Sequence, residues 1–173
     1  MPIIPDSTWG SRDGLLGRTA TRFASTRLGS STVRRMMPYD RKLLLRTQGR
    51  RTMLGPVGAP MLLLQTIGVK SGQQRTSPLL FARGDGEDVI VVGSNFGGEK
   101  HPAWTGNLLA HPEATVISGG VTVPVQATLL EGAEADEAYA KMVEVTAVYA
   151  EYKSRTDRSI RVFRLTPVTT SST

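Results

Sequence analysis

The sequence predicts an α+β domain built on a small antiparallel β-barrel, and three observations support this fold class. From Gly58 onward, short apolar runs alternate with glycine-rich turns, which is typical of consecutive β-strands. Residues 133–154 instead have the apolar spacing and charge distribution of a long helix. With 173 residues, 39% of them hydrophobic and 21% charged, the chain can bury one core without a metal or a disulfide.

The first half of the predicted barrel is a meander of three strands. Residues 61–67 form a nearly continuous apolar run, as expected of a strand that is covered on both faces. The turn at residues 68–74 leads into a strand over 75–82, and the turn at 84–88 leads into a strand over 89–93.

A hairpin is predicted next. Residues 114–118 and 121–130 have strand character, and Gly119 and Gly120 between them suit a two-residue turn that needs positive φ at both positions. Because proline cannot donate to a β-ladder, Pro124 predicts that the second of these strands lies at an edge or carries a bulge.

Two helices and a last strand complete the domain. A short helix over 101–110 should stop before Pro112, because the residue that precedes a proline avoids helical backbone. The long helix over 133–154 has acidic residues in its first turns and basic residues near its end, and a last strand follows over 160–165. Residues 168–173 are predicted to be a disordered tail. The pattern alone leaves a split barrel and an OB-like barrel as alternatives.

Residues 1–57 form a basic arm. Residues 1–51 carry eleven Arg or Lys against three carboxylates, a net charge of +8, whereas the remainder of the chain carries −2. Residues 15–23 and 43–50 have helical spacing, and Gly29 and Pro38 are expected to divide the arm into short helical pieces.

Three interpretations of the arm remain open. Its helices could cap the domain with arginine outward, or bind an anionic membrane surface, or bind the phosphates of nucleic acid. Nucleic acid ranks last, because the aromatic residues of the arm form no recognisable RNA-binding pattern, and we expect no nucleic-acid partner. The glycines and prolines of the uncharged stretch 52–69 argue against a membrane span, and no secretory signal is evident, so we expect a cytoplasmic protein.

Composition excludes several kinds of chemistry. The chain has no cysteine, so thiol catalysis, CxxC redox chemistry and thiolate metal sites are excluded. His101 and His111 are too far apart to act as a local ligand pair, and we expect no metal site. The sequence also lacks a nucleophile elbow. Such a chain is poorly equipped for difficult chemistry without a bound cofactor.

Three motifs could form a cofactor site. The turn Gly-Val-Lys-Ser-Gly-Gln-Gln-Arg at 68–75 places Lys70 and Arg75 at the ends of adjacent strands, where they could hold a phosphate, or could simply be solvated. The glycine-rich segment 93–107 leads from a strand into a helix that begins near Lys100, so backbone amides and a cation converge there. In that helix, Trp104 could pack on a flat ring or in the core.

The third motif is a tyrosine pair. Tyr149 and Tyr152 are three residues apart and are therefore neighbours on a helix surface, where they could line a pocket or pack with exposed hydroxyls. If the cationic hairpin and the tryptophan-bearing segment meet in space, the three motifs can form one cradle.

Together the three motifs resemble the deazaflavin-dependent nitroreductase family of actinobacteria. The resemblance covers residues 58–167 and rests on LLLQTIGVKSGQQRTSPL, GSNFGGEKHPAWTGNL and Tyr-x-x-Tyr-x-x-x-Thr-Asp-Arg, in that order. It implies an FMN-binding split barrel-like fold that binds coenzyme F420, an 8-hydroxy-5-deazaflavin with a phospholactyl and oligoglutamate tail.

The resemblance also implies roles for individual residues. Lys70 and Arg75 would hold the anionic tail with Gln73 and Lys100 as helpers. Backbone groups of Thr76, Ser77 and Pro78 would meet the deazaflavin ring, and Ala103, Trp104 and Asn107 would complete the wall. Ser94, Tyr149 and Tyr152 would face the substrate and act in catalysis.

The implied activity is transfer of a hydride from C5 of reduced F420 to a quinone, an electron-poor C=C bond or a nitroaromatic compound. Tyr152, Tyr149 or Ser94 would stabilise the developing enolate or quinolate oxygen. The chain departs from the family pattern at Val69, where an arginine is common, and at Thr146, where the members that activate nitroimidazoles carry a further tyrosine.

The sequence leaves two alternatives to an F420-dependent enzyme. An FMN-dependent oxidoreductase on the same barrel is the nearest enzymatic alternative, and a protein that only stores or carries F420 is the non-catalytic one. The patterns leave the oligomeric state open, and peripheral contact of the basic arm with the inner face of the membrane would favour a membrane quinone as the acceptor.

Overall fold

The computed structural model describes residues 3–5, 27–53 and 58–168. Six antiparallel strands close into a barrel in the order β1-β2-β3-β6-β5-β4. The strands are β1 (Met61–Ile67), β2 (Gln74–Arg83), β3 (Val89–Val92), β4 (Glu113–Ser118), β5 (Val121–Leu130) and β6 (Val162–Pro167). The described helices are α1 (Arg27–Arg46), α2 (Ala103–Ala110), α3 (Gly132–Val145) and α4 (Val148–Ser154), with a 3-10 turn at Asn95–Gly97.

The predicted barrel is confirmed, and so is its hairpin. Ser118 pairs with Val121 across the turn. Gly119 and Gly120 have φ values of 57° and 84°. Both values are in the left-handed region that glycine adopts without strain, so the sequence signal for this turn was accurate.

The edge or bulge predicted from Pro124 is wrong, because β5 pairs on both sides and both of its ladders run residue for residue. β5 pairs with β4 on one side and with β6 on the other, so it is an interior strand of the closed barrel. The carbonyl of Pro124 accepts a hydrogen bond from Val168 N at 3.0 Å, just beyond the end of β6. Proline is tolerated here because the ladder to β6 ends at this position, so no donor is required.

The prediction of a single long helix over 133–154 is also wrong, because the helical conformation is interrupted between α3 and α4. Thr146 is extended, with φ −157° and ψ 126°. After the break, Tyr149 N donates to Thr146 O at 3.2 Å, and the Tyr139 hydroxyl of α3 donates to Tyr149 O at 2.7 Å. After the turn, α4 packs against the 3-10 segment, where Tyr152 meets Phe96.

In the arm, neither Gly29 nor Pro38 divides the helix. α1 runs through both positions for 20 residues. Leu44 packs against Met61 and Leu63 of β1. The buried carboxylate of Asp40 accepts hydrogen bonds from the Thr52 hydroxyl at 2.9 Å and from Met53 N at 2.6 Å. These tertiary contacts hold the helix in place despite its proline. The helical pattern predicted over 15–23 and the tail from 169 onward lie outside the described residues.

Both ends of the barrel are closed from inside by elements that are distant in sequence. Trp104 and Leu108 of α2 join the interior cluster near the β1–β2 turn. Ile4, with 0% exposure, joins the same cluster at the opposite end. There Pro5 O accepts a hydrogen bond from the Ser118 hydroxyl at 2.7 Å. The start of the basic arm is therefore part of the barrel core.

Shortening Ile4 to valine is expected to lower the free energy of unfolding by about 1 kcal/mol, the usual cost of removing one buried methylene group. Chemical denaturation of the parent and of Ile4→Val measures the loss. Ile3→Val is the matched control, because Ile3 is 61% exposed and its change should have almost no effect. Equal costs for the two variants would contradict the placement of Ile4.

Candidate functional site

The barrel is split between β2 and β3. Within residues 58–168, β3 pairs with β2 over residues 81–83 only, although β2 continues back to Gln74. The remaining length of β2 pairs with β1 and presents its other edge to the segment that follows β3. We call the space between this edge and residues 93–98 the split.

Backbone geometry shows which groups line the β2 edge. Phe81 N donates toward β1, to Pro60 O at 3.2 Å. Since backbone groups alternate sides along a strand, those of Thr76, Pro78 and Leu80 point to the split, whereas those of Ser77 point to β1. Extending the register from the Phe81–Val91 pair would place Ser94 opposite Pro78. Proline has no N–H to donate, which favours the end of the ladder at this point.

Cations lie at one end of the split. The β1–β2 turn is closed by Gly68 N donating to Gln73 O at 2.9 Å, and by Gly72 N donating to Gly68 O at 2.8 Å. Lys70, Gln73 and Arg75 are exposed on this turn. Two exposed cations on a rigid turn can bind an anionic group of a ligand.

The cationic turn and the tryptophan-bearing helix meet, as the sequence predicts. Asn107 of α2 accepts a hydrogen bond from Val69 N at 3.2 Å and donates to the Thr66 hydroxyl at 3.0 Å. Its buried amide therefore fastens α2 to the turn that carries Lys70. Trp104, 5% exposed, lies one turn earlier and packs against Phe163 with ring centroids 5.8 Å apart. It occupies the core, which favours a supporting role over direct stacking on a cofactor.

A second helix approaches the β2 edge from outside the barrel. Arg41 of α1 donates from Nε to Thr76 O at 3.1 Å. This bond uses one carbonyl of the edge and adds a cation beside the split. Sequence reasoning missed this residue, because nothing in the spacing of the arm indicated which arginine would face the barrel.

The other side of the split has unusual backbone. Asn95, Phe96 and Gly97 follow one another with φ values of 47°, 56° and 74°. Asn95 donates from Nδ2 to Lys100 O at 2.9 Å, which closes the segment into a compact loop. A Cβ at Gly97 would lie 2.9 Å from Arg155 Cβ and 3.0 Å from Tyr152 O. Consecutive left-handed residues are strained, and such strain is concentrated at functional sites.

The residues nearest to the start of α2 remain accessible. Lys100 and Ala103 are exposed, and the helix begins after Pro102 without a side-chain cap. The positive end of the helix dipole and the exposed Lys100 therefore lie within a few residues of each other.

Aromatic residues behind the loop form a buried cluster. Tyr149 and Tyr152 of α4 lie 5.5 Å apart between ring centroids, and Tyr139 of α3 lies 6.2 Å from Tyr149. Phe96 of the loop packs edge-on against Tyr152 at 5.8 Å. Ser94 is buried beside them. The structure thus brings the three predicted catalytic residues together, with both tyrosines more deeply buried than a pocket wall requires.

Burial controls the acid–base state of these tyrosines. It raises the pKa of Tyr139 from 10.0 to about 12. Burial, followed by the neighbouring Tyr152 and Tyr139, raises the pKa of Tyr149 further, while a hydrogen bond with the Ser94 side chain acts in the opposite direction. Both hydroxyls are therefore protonated near neutral pH, and they can donate hydrogen bonds but not act as bases.

The raised tyrosine pKa values predict a loss of stability in alkaline solution. The folded chain holds these protons more tightly than the unfolded chain, so the contribution is complete below pH about 10 and is lost as the pH rises toward about 12. Unfolding free energies measured across this range should decrease less steeply in Tyr139→Phe than in the parent. Tyr39→Phe is the control, because it removes the hydroxyl of a tyrosine that is 68% exposed.

A second residue missed by sequence reasoning is Arg158. Its guanidinium donates to Gly98 O at 2.8 Å, Gly93 O at 3.1 Å and Ser94 O at 2.6 Å, and Nη1 lies 3.1 Å from His101 Nδ1. Arginine has no acceptor, so the His101 Nδ1 accepts and its proton lies on Nε2. Burial, with the charges of Arg161 and Arg158, lowers the pKa of His101. Arg158 is the last residue of the third motif, but the spacing of that motif did not reveal the hydrogen-bond partners of the guanidinium.

Comparison with known proteins connects this arrangement with one cofactor. The family model for F420H(2)-dependent quinone reductase matches residues 53–167. An F420H(2)-dependent quinone reductase of Mycobacterium tuberculosis is 35% identical over 125 residues, which cover 69% of this chain and 82% of the relative.

Solved structures agree with this comparison. An F420-H2-dependent reductase, FDR-A, is 38% identical with a TM-score of 0.56, covering 61% of this chain and 93% of that one. A structure described as a domain-swapped dimer is 34% identical with a TM-score of 0.57, covering 74% and 97% of the two chains.

Proposed function

The chain belongs to the F420H(2)-dependent quinone reductase family, and we propose that coenzyme F420 binds along its split with a quinone as the hydride acceptor. The chain is accordingly an F420-dependent oxidoreductase, and the FMN and carrier alternatives are not favoured. The observation that supports the placement most directly is the Asn107 bridge, because it joins the cationic turn to the helix that closes the same end of the split.

The residues around the split fit the chemistry of this cofactor. Lys70 and Arg75 suit the acidic tail, with Gln73 and Lys100 beside them. The Thr76 N–H and the Pro78 carbonyl point to the split and suit the polar edge of a flat ring, whereas the Thr76 carbonyl is bound by Arg41. Ser77 would contribute through its side chain or its position in the strand. Ala103 and Asn107 border the same end, and Trp104 supports it from the core.

When bound in its reduced form, the deazaflavin supplies the hydride. The chain's own residues then orient the acceptor and stabilise charge. Tyr149 keeps its proton, since burial raises its pKa, and its hydroxyl is hydrogen-bonded with Ser94. With Tyr152 beside it, this pair forms the donor group that we assign to the developing oxyanion of the acceptor. Enones, whose C=C bond is conjugated with a carbonyl, and nitroaromatic compounds also offer an oxygen to these donors and are the further acceptors to test.

Separate titrations of the purified protein with F420 and with FMN test the cofactor proposal. Binding of F420 with little response to FMN is expected, followed by oxidation of F420H2 when a quinone is added. FMN binding without F420 binding would overturn the proposal. Tight F420 binding without turnover on quinones, enones or nitroarenes would support a carrier instead.

A membrane surface is the partner that we propose for α1. Arg35, Lys42 and Arg46 share one exposed side of the helix with Tyr39 and Leu45, a combination typical of helices that lie in an anionic interface. No helix in the described part of the chain is long and apolar enough to cross a bilayer.

Sedimentation with anionic vesicles tests the membrane proposal. Binding should weaken in high salt and in the triple variant Arg35→Gln, Lys42→Gln, Arg46→Gln. Neutral vesicles are the control for the lipid charge. Cosedimentation with DNA but not with vesicles would replace the membrane with nucleic acid, and binding to neither would leave α1 as a cap of the barrel.

A further inference from the structure

The polar side of the split depends on which way the peptide groups after β3 are turned. Gly93 still behaves as part of the strand, since its N–H donates to Arg161 O at 2.8 Å on the β6 side. By strand alternation, the N–H of Ser94 points to the opposite side, toward β2. In the extended register the Ser94 N–H lies opposite Pro78, whose carbonyl also points to the split.

Ser94 then leaves the strand conformation. Its backbone is helical, with φ −70° and ψ −32°. Its carbonyl, which a regular strand would direct toward β2, instead accepts hydrogen bonds from Arg158 Nη2 at 2.6 Å and Gly97 N at 3.0 Å. Pro78 offers no N–H that could compete for this oxygen. Arg158 and Pro78 therefore favour the same outcome, which is an open split.

Arg158 orients three peptide groups so that the carbonyl of each points to its guanidinium. It binds the carbonyls of Gly93, Ser94 and Gly98. In a planar trans peptide the N–H points opposite to the C=O, so the N–H groups of the following residues point away from the guanidinium. Those residues are Ser94, Asn95 and Glu99, and no hydrogen bond from their N–H groups is present among the described residues.

The charge of Arg158 is also not neutralised by its contacts. Its partners are three carbonyl oxygens and an imidazole nitrogen, none of which carries a charge in the observed arrangement. The guanidinium stays protonated under all ordinary conditions. The loop therefore combines N–H groups that point away from Arg158 with a cation behind them, an arrangement that attracts electron-rich oxygens.

We infer that Arg158 is a positioning residue that holds the split open and directs the N–H groups of Ser94 and Asn95 toward an acceptor oxygen of the bound cofactor or substrate. This inference rests on the proposed function. Arg158 reaches its four partners from three different nitrogens of a fixed planar fork, whereas the three donors of a lysine all leave from one nitrogen and cannot reproduce that spacing.

The test compares Arg158→Gln, Arg158→Lys and the parent in two measurements. In the protein without cofactor, hydrogen–deuterium exchange of residues 93–99 should increase in Arg158→Gln, while exchange of β1 and β5 stays unchanged. In titrations, the Kd for F420 should increase about tenfold or more, roughly the effect of one lost hydrogen bond to a charged group. Arg158→Lys should recover part of both effects.

Arg164→Gln is the matched control, because Arg164 lies on β6 and pairs with Glu134 and Asp88 on the outer face. It removes the same charge away from the loop and should leave both measurements at parent values. Unchanged exchange and an unchanged Kd in Arg158→Gln would overturn the inference while the proposed function stands. A parent that fails to bind F420 would defeat the proposed function, and the exchange experiment would still decide the role of Arg158 in the loop.

Discussion

Replacing both Lys70 and Arg75 with glutamine is expected to raise the Kd for F420 about 100-fold or more. Each side chain is exposed on the turn at the end of the split and is available to an anionic tail. A hydrogen bond to a charged group contributes about 1.5–3 kcal/mol, so the loss of two such contacts gives at least this effect. Fluorescence titration with F420 at two salt concentrations measures the change. The parent should lose affinity in salt, and the double variant should lose much less.

The control is the pair Lys141→Gln and Arg164→Gln. These residues form ion pairs with Asp85 and Glu134 away from the split, and surface pairs of this kind contribute little to stability. The control removes the same net charge, so a general effect of protein charge would weaken both variants equally. If both double variants lose F420 affinity equally, or if the Lys70 and Arg75 variant keeps the parent affinity, the cofactor tail binds elsewhere.

Replacing Gly97 with alanine should destabilise the protein by about 2–5 kcal/mol and impair cofactor binding. The positive φ alone costs about 1–2 kcal/mol for a residue with a Cβ. The added methyl group would also overlap with Arg155 and with the carbonyl of Tyr152, which adds about 1–3 kcal/mol for overpacking. Because α4 and the loop would have to separate, the loop should no longer face the split correctly. Chemical denaturation and F420 titration measure the two effects.

Gly86→Ala isolates the contribution of the contact with α4. Gly86 has a φ of 60°, comparable to that of Gly97, but a Cβ there would meet nothing within 4 Å. It should therefore show only the cost of the backbone conformation and keep its F420 affinity. If the two alanine variants behave alike, the tight approach of the loop to α4 has no energetic importance.

The sequence predicted the barrel well because the signals for its strands are local. Residues 61–67 and 121–130 were assigned with the bounds that the structure has, and the two-glycine turn at 119–120 was correct. Apolar runs, alternation and glycine pairs each act over a few residues, so they can be read without knowing the fold.

The wrong predictions concerned elements whose shape depends on distant partners. Pro38 would break an isolated helix, but Leu44 and Asp40 anchor α1 to the barrel and to Thr52. The helix over 133–154 looked continuous, but contacts of Tyr139 with the next helix favour a break at Thr146. In both cases the tertiary contacts outweighed the local helix propensity of the sequence.

The candidate site divides in the same way. The sequence by itself determined the residue types: exposed cations on a tight turn, a glycine-rich loop, a tyrosine pair and a chain without cysteine. Only the tertiary structure decided that Trp104 lies in the core, that Asn107 joins α2 to the turn, that Arg41 reaches Thr76, and that Arg158 orients the loop. The physical reason is that hydrogen bonds between groups some 35 to 65 residues apart leave no periodic trace in the sequence, since their geometry exists only after the barrel closes.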